Sequence, residues 1–381
     1  MRIGIDVRTL FKKDTKGLGA YCNYLLEGLQ KIDSKNQYIL FYNEDDTNRK
    51  LTLPVNFFLN QCAQKGGERF FLWEQYRLPK EIKRNKIDIF HFPTNTVSCF
   101  ALQDSILTLH DMLMFEEDQA NFKGKQKFYI HYFQPHFISK IKRIITVSEF
   151  SKKRIIDRLK VAPERITVIY NGISEMFKQI EPVKKEGLLR NLGIEGDYIF
   201  TVGANSKRKN ISALLKAYLN LLRNTPLKEK LVISGINQAT RNDLNIEIPW
   251  LSECTQIVFL PYIAHEELIA LYNGAKLFVF PSIAEGFGFP PLEAMACGVP
   301  VIASYYTSIP EVLGDSAYLV DTKEPSEISK AIKLLLENDF LRREYSEKGL
   351  KRAKNFSWLK TAQETLQVYE NFAKESGIKC G

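Results

Sequence analysis

The stretch LFVFPSIAEGFGFPPLEAMACGVPVIAS, residues 277–304, decides the fold of this chain. It reads as an apolar run, a glycine loop, a short helical segment and a second apolar run. Residues 277–280 and 301–303 are continuously apolar, as strands buried on both faces of a parallel sheet are. Prolines at its start and a glycine after its end favour a helix over residues 291–297. The stretch therefore predicts a strand, loop, helix and strand of an α/β sheet.

The loop between the first strand and the helix carries two glycines and is bracketed by two carboxylates. Gly286 and Gly288 follow the strand end, where open α/β sheets bind ligands and a bare backbone allows close approach. Glu285 precedes the glycines, and Glu293 lies in the predicted first helical turn. As alternatives to ligand binding, Glu293 can pair with the helix dipole and Glu285 can be a solvated loop acid. Spacing alone leaves these alternatives open.

Length and composition predict two globular domains and no membrane-spanning segment. The chain has 381 residues, of which 45% are hydrophobic and 25% charged. Its six cysteines show no metal-binding spacing, which also argues against a secreted disulfide framework. The charged N-terminus does not resemble a signal peptide, and there is no apolar run of about 18 residues. We therefore expect a cytoplasmic protein.

The net charge of +9 is compatible with nucleic acid, an anionic membrane or phosphorylated substrates as partners. Basic residues are concentrated over residues 123–160, where aromatic residues are interleaved with them. The aromatic residues are Phe128, Tyr129, Tyr132, Phe133 and Phe137. Such a segment can lie on an anionic membrane, or it can be a solvated helix whose aromatics are core, and both readings stay open. Nucleic acid is disfavoured because no nucleic-acid-binding motif accompanies the charge.

The N-terminal half alternates strand and helix patterns. The strand candidates are residues 3–7, 38–42, 87–92, 105–110, 144–147 and 166–169. Gly17 and Gly19 are predicted to precede a helix, where backbone N–H groups can bind a phosphate, although a flexible turn is equally compatible. His110 ends a strand, where ligand sites of such sheets lie, and a structural histidine is the alternative.

The C-terminal half predicts a six-stranded Rossmann-like parallel sheet. Its strand candidates are residues 198–202, 231–234, 257–260, 277–280, 301–303 and 317–320. Gly203 opens a loop, and Asn210 is expected to cap the helix that follows it. Between them, Lys207, Arg208 and Lys209 can hold a diphosphate together with helix N–H groups; a solvated charge run is the alternative.

The string EGFGFPPLEAMACGVPVIA, residues 285–303, resembles the donor-site signature of the retaining glycosyltransferases of family 4. The resemblance implies the GT-B fold, an α/β architecture of two Rossmann-like doubly wound domains that face each other across a cleft. The expected acceptor domain comprises residues 1–177 with the C-terminal helix 358–381, and the expected donor domain residues 187–357. The polar segment 178–186 is the expected linker. Trp358, Leu359, Leu366 and Tyr369 of the terminal helix are expected to pack between the domains.

The resemblance also implies roles for individual residues. It makes His110, Lys209 and Glu285 catalytic: His110 and Glu285 face the transferred sugar, and Lys209 binds the donor diphosphate. Glu293 binds the ribose hydroxyls, and Ala204 departs from an arginine that many members carry there. The implied donor-binding residues are Gly17, Gly19, Gly203, Arg208, Lys209, Tyr262, Glu285, Gly286, Phe287, Gly288, Leu292 and Glu293.

The function that this resemblance implies is transfer of a hexose from a nucleotide-sugar, with retention, to a glycan or lipid-linked acceptor in cell-surface polysaccharide assembly. Similarity to bacterial mannosyltransferases suggests GDP-mannose as the donor. No cofactor or metal is expected, because the chain offers no suitable D-x-D pair. We expect a cytoplasmic protein that can contact the inner membrane face. The alternatives are a nucleotide-sugar epimerase, an α-glucan synthase, or a non-catalytic basic module that binds membranes or nucleic acid.

Overall fold

The structure is a computed structural model that describes residues 1–11, 17–43, 52–62, 70–116, 124–203 and 206–378, the side chains of Phe70 and Trp250 excepted. The chain divides into two compact units. The first comprises Met1–Gly172 and Ser357–Gly381, and the second comprises Ile173–Phe356. Within the described ranges, none of the helices combines the length and apolar character that a membrane-spanning segment needs.

The first unit is built on a seven-stranded parallel sheet of order β3-β2-β1-β4-β5-β6-β7. Its strands are β1 (Arg2–Asp6), β2 (Gln37–Tyr42), β3 (Phe57–Gln61), β4 (Ile89–Phe92), β5 (Ser105–Thr108), β6 (Arg143–Thr146) and β7 (Ile166–Val168). Six of them lie within two residues of the predicted runs. Strand β3 was not predicted, because it is an edge strand with mostly exposed side chains and lacks a buried apolar run.

Helices flank this sheet. They are α1 (Leu18–Ile32), α2 (Phe70–Leu72), α3 (Leu78–Arg84), α4 (Gly124–Phe128), α5 (Gln134–Ile138) and α6 (Glu149–Leu159). π-helical turns over Trp73–Arg77 and Tyr129–Phe133 join α2 to α3 and α4 to α5. Short 3-10 turns cover Arg8–Phe11, Leu113–Phe115 and Pro163–Arg165. The sheet is thus covered by helices, which explains the apolar character of its central strands.

The second unit is built on a six-stranded parallel sheet of order β10-β9-β8-β11-β12-β13. Its strands are β8 (Tyr198–Val202), β9 (Lys230–Ser234), β10 (Ile257–Leu260), β11 (Leu277–Phe280), β12 (Val301–Ser304) and β13 (Tyr318–Val320). All six were predicted to within one residue. The strand order reverses between β8 and β11, and ligands of open α/β sheets bind at such a switch point.

The helices of the second unit are α7 (Pro182–Asn191), α8 (Ile211–Asn224), α9 (Gln238–Glu247), α10 (His265–Gly274), α11 (Phe289–Ala296), α12 (Ile309–Leu313), α13 (Pro325–Glu337) and α14 (Asp339–Ala353). Short 3-10 turns cover Lys207–Lys209, Pro249–Glu253 and Gly314–Ser316. Segment 178–186, expected as a linker, belongs to this unit instead. Helix α7 starts inside it, and the Ile180 N–H donates to Asn273 Oδ1 at 3.0 Å.

The terminal helix α15 (Trp358–Glu375) belongs to the first unit and packs on α1. The Trp358 ring stacks on Tyr24 at 5.2 Å, and the Tyr369 hydroxyl lies 2.6 Å from His91 Nδ1. A Cβ on Gly28 would lie 2.6 Å from the Ala362 Cβ, so this glycine permits the close approach of the two helices. Trp358 and Tyr369 thus both contact side chains of the first unit, and the packing of this helix between the units stays a prediction.

Candidate active site

The candidate site of the second unit lies where its strand order reverses. Strands β8 and β11 are neighbours in a parallel register, so their carboxyl ends lie at the same edge of the sheet. Gly203 follows β8, and Glu285 lies five residues after the end of β11. A Cβ on Gly203 would lie 2.6 Å from the Ile236 side chain, so this position has no room for a larger residue. The loop that begins at Gly203 and the loop that carries Glu285 therefore lie at the same edge of the sheet.

Glu285 is bound by two cations through one carboxylate oxygen. Lys209 Nζ lies 2.7 Å and Arg208 Nη1 2.8 Å from Glu285 Oε1, and the Ser282 hydroxyl donates to the same oxygen at 2.7 Å. The side chains of Lys209 and Glu285 are 12% and 11% exposed. Burial raises the pKa of Glu285, but Lys209, Arg208 and the hydrogen bonds outweigh it and hold that pKa below its ordinary value. Glu285 is therefore an ionised carboxylate at neutral pH.

The 3-10 turn Lys207–Lys209, here called the cationic turn, is also joined by hydrogen bonds to the loop that carries Glu285. The Ile283 N–H donates to the Arg208 carbonyl at 2.8 Å, and Arg208 Nη1 donates to the Ala284 carbonyl at 2.9 Å. Lys207, on the same turn, is exposed. Two of the three predicted cations, Arg208 and Lys209, are thus held at the site beside Glu285.

Asn210 does not cap helix α8 as expected. Its backbone is left-handed with a φ of 53°, and its side chain makes no capping hydrogen bond. The side-chain Nδ2 instead donates to the Thr322 carbonyl at 2.6 Å. Asparagine tolerates the left-handed region, so Asn210 ends the cationic turn and ties it to the segment after β13.

Glu293 lies deeper in helix α11 than predicted. The helix begins at Phe289, which puts Glu293 in its fifth position, beyond the first turn. This removes the pairing with the helix dipole, which is confined to the first turn. Glu293 Oε2 accepts a hydrogen bond from the Tyr272 hydroxyl at 3.0 Å. Burial raises the pKa of Glu293 to about 7, with Tyr272 and Lys209 opposing that shift.

The other residues predicted to bind the donor in this unit line the same sheet edge with different exposure. The side chains of Phe287 and Leu292 are buried, at 4% and 0% exposure. Gly286 is buried too, and Gly288 has a φ of +100°, with Ile309 close to where a Cβ would stand. Tyr262, after β10, is 64% exposed. That each of these residues contacts a donor stays a prediction. Because the Leu292 side chain is fully buried, only its backbone could make such a contact.

His110 lies at the carboxyl end of β5 in the first unit and is held by its surroundings. Its N–H donates to Asn95 Oδ1 at 2.8 Å, and its Nε2 lies 3.1 Å from the Pro93 carbonyl. Since a carbonyl only accepts, Nε2 carries the proton and Nδ1 is left as an acceptor. The Tyr21 ring packs against the imidazole in a perpendicular arrangement, with the ring centroids 4.5 Å apart. Burial lowers the pKa of His110 to about 4, so it is neutral at physiological pH.

The two glycines of the first unit occupy different places. Gly17 precedes α1 with a φ of 53° and is exposed. Gly19, expected in the loop, is buried in the first turn of α1, because the helix already begins at Leu18. Residues 12–16 of this loop, and Ala204 in the second unit, lie outside the described residues. Phosphate binding by Gly17 and Gly19 remains a prediction.

Sequence reasoning missed the polar residues that support the site. They are Asn95, Tyr272, Ser282, Thr307 and Ser308. None belongs to the predicted constellations, and only Ser282, two residues after an apolar strand, had a positional signal. Among the residues that the structure describes, no group of three or more His, Cys, Asp or Glu side chains is placed to hold a metal ion.

Comparisons with known proteins identify the family of this chain. Residues 190–352 match the family model described as Glycosyl transferases group 1, and residues 15–175 match Glycosyltransferase Family 4. O-antigen chain mannosyltransferase B of Escherichia coli is 33% identical over 307 residues, 78% of this chain and 80% of that protein. Serotype-specific mannosyltransferase WbdA of Escherichia coli is 29% identical over 237 residues, 61% of this chain but only 29% of that protein.

Solved structures share the fold. The crystal structure of Anabaena HepE in complex with UDP and glucose superposes with a TM-score of 0.74, covering 97% of this chain and 99% of that one. The two sequences are 17% identical, so this likeness concerns the fold alone.

Proposed function

Since this chain belongs to the family 4 glycosyltransferases of the GT-B fold, we propose that it transfers a mannosyl residue from GDP-mannose to a glycan or lipid-linked acceptor in cell-surface polysaccharide assembly. The observation that carries the proposal is the ion pairing of Lys209 and Arg208 with Glu285 at the switch point of the second sheet. The choice of mannose rests on the relatives, which include O-antigen chain mannosyltransferases. Family membership leaves no reason to prefer a solely non-catalytic module.

The chemical demand of sugar transfer fits this cluster. The departing nucleoside diphosphate gains negative charge while the sugar gains oxocarbenium character. Two cations against one carboxylate leave the Lys209, Arg208 and Glu285 cluster with one positive charge for the diphosphate. The proposed mechanism needs no metal ion, because these side chains supply the charge stabilisation. The ionised Glu285 carboxylate would accept hydrogen bonds from hydroxyls of the transferred sugar.

Glu293 is the proposed acceptor for the ribose hydroxyls of the donor. A carboxylate can accept two hydrogen bonds from a vicinal diol. In the structure one of its oxygens accepts from Tyr272, which fixes the orientation of the carboxyl group. The side chain is partly exposed, so a ligand can reach it. We assign Glu293 to donor affinity and Glu285 to the transfer step.

Retention of the anomeric configuration is part of the proposal. It requires the acceptor to attack from the face that the diphosphate leaves. An anomeric assignment of the product by NMR tests it, and an inverted linkage would contradict it. Transfer that is unaffected by a chelator would support independence from metal.

The central experiment measures thermal stabilisation by GDP, UDP, ADP and dTDP, followed by product analysis with the matching sugar donors. A nucleotide at about a hundred times its Kd should stabilise the protein by about 2.7 kcal/mol. We expect GDP to stabilise most and GDP-mannose to be consumed only with acceptor present. Stabilisation by UDP alone would overturn the choice of donor. Consumption without acceptor, yielding an epimerised donor, would favour the epimerase.

We also propose that a surface of the first unit contacts an anionic membrane. The structure divides the basic stretch 123–160 into α4 and α5, strand β6 and helix α6, and Lys123 lies outside the described residues. Of its aromatics, Tyr129 is buried and Phe133 and Phe137 pack against the core. Phe128 and Tyr132 are instead 63% and 60% exposed, and their rings stack on each other. The aromatics of the stretch are therefore core residues in part, and we propose the exposed pair, Phe128 and Tyr132, as the membrane contact.

Exposed cations flank these rings. Lys125 and Lys140 are exposed on the same segment, and residues 124–143 contain no acidic residue. The adjoining helical segment adds exposed Leu72 and Tyr76, and the Tyr76 ring lies 5.8 Å from the exposed ring of Phe100. Aromatic rings with lysines around them suit the interface of an anionic bilayer, where each cation contributes about 1 kcal/mol.

Co-sedimentation with vesicles tests this surface. We expect the wild type to bind vesicles that contain phosphatidylglycerol and to release them at high salt. The double variant Phe128→Ser with Tyr132→Ser should bind about tenfold more weakly, whereas Phe340→Ser, a 78% exposed phenylalanine of the second unit, should bind normally. Equal binding by both variants would contradict the proposed surface.

A further inference from the structure

Thr307 has a backbone conformation that threonine rarely adopts. It lies in the loop between β12 and α12, and its φ is 58°, in the left-handed region. Among the described residues, the other non-glycine residues with positive φ are Lys86, Asn95, Lys160 and Asn210. None of these is β-branched, and a β-branched residue at positive φ is a steric outlier. A glycine would adopt this conformation freely, so the threonine side chain requires an explanation.

The side chain of Thr307 contacts the backbone of the central carboxylate residue. Thr307 Oγ1 accepts a hydrogen bond from the Glu285 N–H at 3.1 Å. The next residue, Ser308, is fully buried and donates its hydroxyl to the Glu285 carbonyl at 2.9 Å. Both main-chain groups of Glu285 are therefore bound by consecutive hydroxyl residues.

The opposite end of Glu285 is held independently. Its carboxylate is bound by Lys209, Arg208 and Ser282, none of which lies on the loop of Thr307. A ligand that draws the two cations towards its diphosphate weakens this hold on the carboxylate. The hydrogen bond from the Glu285 N–H to Thr307 does not involve the cations, so a shift of the cations does not by itself remove it.

We propose that Thr307 is a positioning residue for the transfer reaction, whose left-handed backbone directs its hydroxyl to the Glu285 peptide and thereby fixes the carboxylate against the transferred sugar. The inference rests on the proposed function for the role of Glu285. Strained residues persist where the surrounding structure holds them and are concentrated at functional sites. Glycine would relieve the strain but would offer no acceptor to the Glu285 N–H.

Three variants of Thr307 separate the effect of its hydroxyl group from the effect of its backbone conformation. Thr307→Ser keeps the hydroxyl, Thr307→Val keeps the shape without it, and Thr307→Gly removes the side chain and the strain together. Tyr305→Phe is the matched control: it removes a hydroxyl from the same loop that donates to Asp321 at 2.8 Å and does not contact Glu285. Each variant is measured for Tm, for the Kd of the nucleoside diphosphate, and for kcat and donor KM.

We expect Thr307→Val and Thr307→Gly to lower kcat about tenfold, the effect of losing one positioning hydrogen bond, with the Kd of the diphosphate changed less than about twofold. Thr307→Ser and Tyr305→Phe should keep kcat within about twofold. A merely structural threonine would change Tm and leave kcat of the folded protein unaltered. Wild-type kcat in Thr307→Gly would therefore overturn the inference, as would an equal loss in Thr307→Ser.

A second measurement keeps this test separate from the proposed function. The ratio of the Kd of the diphosphate to that of the complete nucleotide-sugar reports how well the site holds the sugar. If the wild type shows no transfer and no such preference, the proposed function fails. If the wild type prefers the nucleotide-sugar, loss of that preference in Thr307→Gly supports the positioning role, and its retention there contradicts it.

Discussion

Lys209 Nζ and Glu285 Oε1 lie 2.7 Å apart, although 75 residues separate them along the chain and each follows a different strand. The pair forms because β8 and β11 are neighbours at the point where the strand order reverses. Arg208 binds the same oxygen at 2.8 Å. A diphosphate that enters this site must therefore share both cations with a carboxylate that is already ionised.

Replacing Lys209 tests its part in stabilising the leaving group. We expect Lys209→Ala to lower kcat by about a hundredfold or more, because the charge that develops on the diphosphate loses one of the two cations held at the site. Lys207→Ala is the matched control, since Lys207 is an exposed lysine of the same turn, and it should leave kcat unchanged. Steady-state kinetics on folded protein, checked by circular dichroism, measures the effect. Near-normal kcat in Lys209→Ala would remove this lysine from the mechanism.

Neutralising Glu285 should separate affinity from catalysis. In Glu285→Gln, Lys209 and Arg208 no longer share their charge with a carboxylate, so the Kd of the free nucleoside diphosphate should fall several-fold. The kcat should drop at least about tenfold, because the carboxylate no longer accepts from the sugar. Calorimetry and steady-state rates measure the two effects. Weaker binding of the diphosphate would contradict the competition between ligand and carboxylate.

The pKa of Glu293, raised by burial to about 7, predicts pH-dependent donor binding. Only the ionised form accepts two hydroxyl hydrogen bonds, so donor KM should fall as the pH rises through about 7. In the unfolded chain the pKa of Glu293 is near 4.5, so the folded state binds the proton of this carboxyl group more strongly than the unfolded state does. The group therefore disfavours folding increasingly as the pH rises from 4.5 to about 7.

Glu293→Gln provides the control for both effects. It should raise donor KM, lose the dependence of KM on pH near 7, and gain stability relative to the wild type as the pH rises. Donor KM measured between about pH 6 and 8 for both proteins decides this. An unchanged pH profile in Glu293→Gln would assign the titration to another group.

The strands were predictable because burial on both faces imposes a continuous apolar run. Residues 277–280 are an example: all four side chains of β11 are fully buried. Where burial is partial, the signal disappears, as in edge strand β3, whose residues 58 and 59 are exposed. Segment 178–186 was predicted as a linker because its residues are mostly polar, and they are mostly exposed, although the segment belongs to the second unit and its Ile180 N–H is bound by Asn273.

The charged members of the site were predictable and its polar supports were not. Glu285 and Lys209 are charged residues beside an apolar sheet, and the family resemblance implied a role for each of them. Thr307 and Asn95 act through hydrogen bonds to the backbone of residues 22 and 15 positions away. No sequence spacing specifies such pairings, because they depend on the three-dimensional approach of two loops. Their left-handed backbones are equally invisible in the sequence.

Two buried histidines predict loss of stability in acid. His91, in β4, is bound to Tyr369 and Thr108, and burial lowers its pKa to about 3, while that of His110 falls to about 4. Both stay neutral in the folded protein, whereas the unfolded chain takes up protons below about pH 6.5. The stability of the first unit, to which both histidines belong, should therefore fall as the pH decreases from about 6.5, by about 2 kcal/mol per histidine between about pH 7 and pH 5.

Guanidinium denaturation in a Trp250→Phe background measures this loss, because the remaining tryptophans, Trp73 and Trp358, belong to the first unit. His91→Gln removes one titrating group, while the glutamine amide can still donate and accept hydrogen bonds. The stability that this variant loses between pH 7 and pH 5 should therefore be smaller than the wild-type loss by about 2 kcal/mol. His136→Gln, at an exposed site, should show the wild-type loss. If His91→Gln loses as much stability in acid as the wild type, His91 does not remain neutral in the folded unit, and its hydrogen bonds with Tyr369 and Thr108 must admit the charged ring.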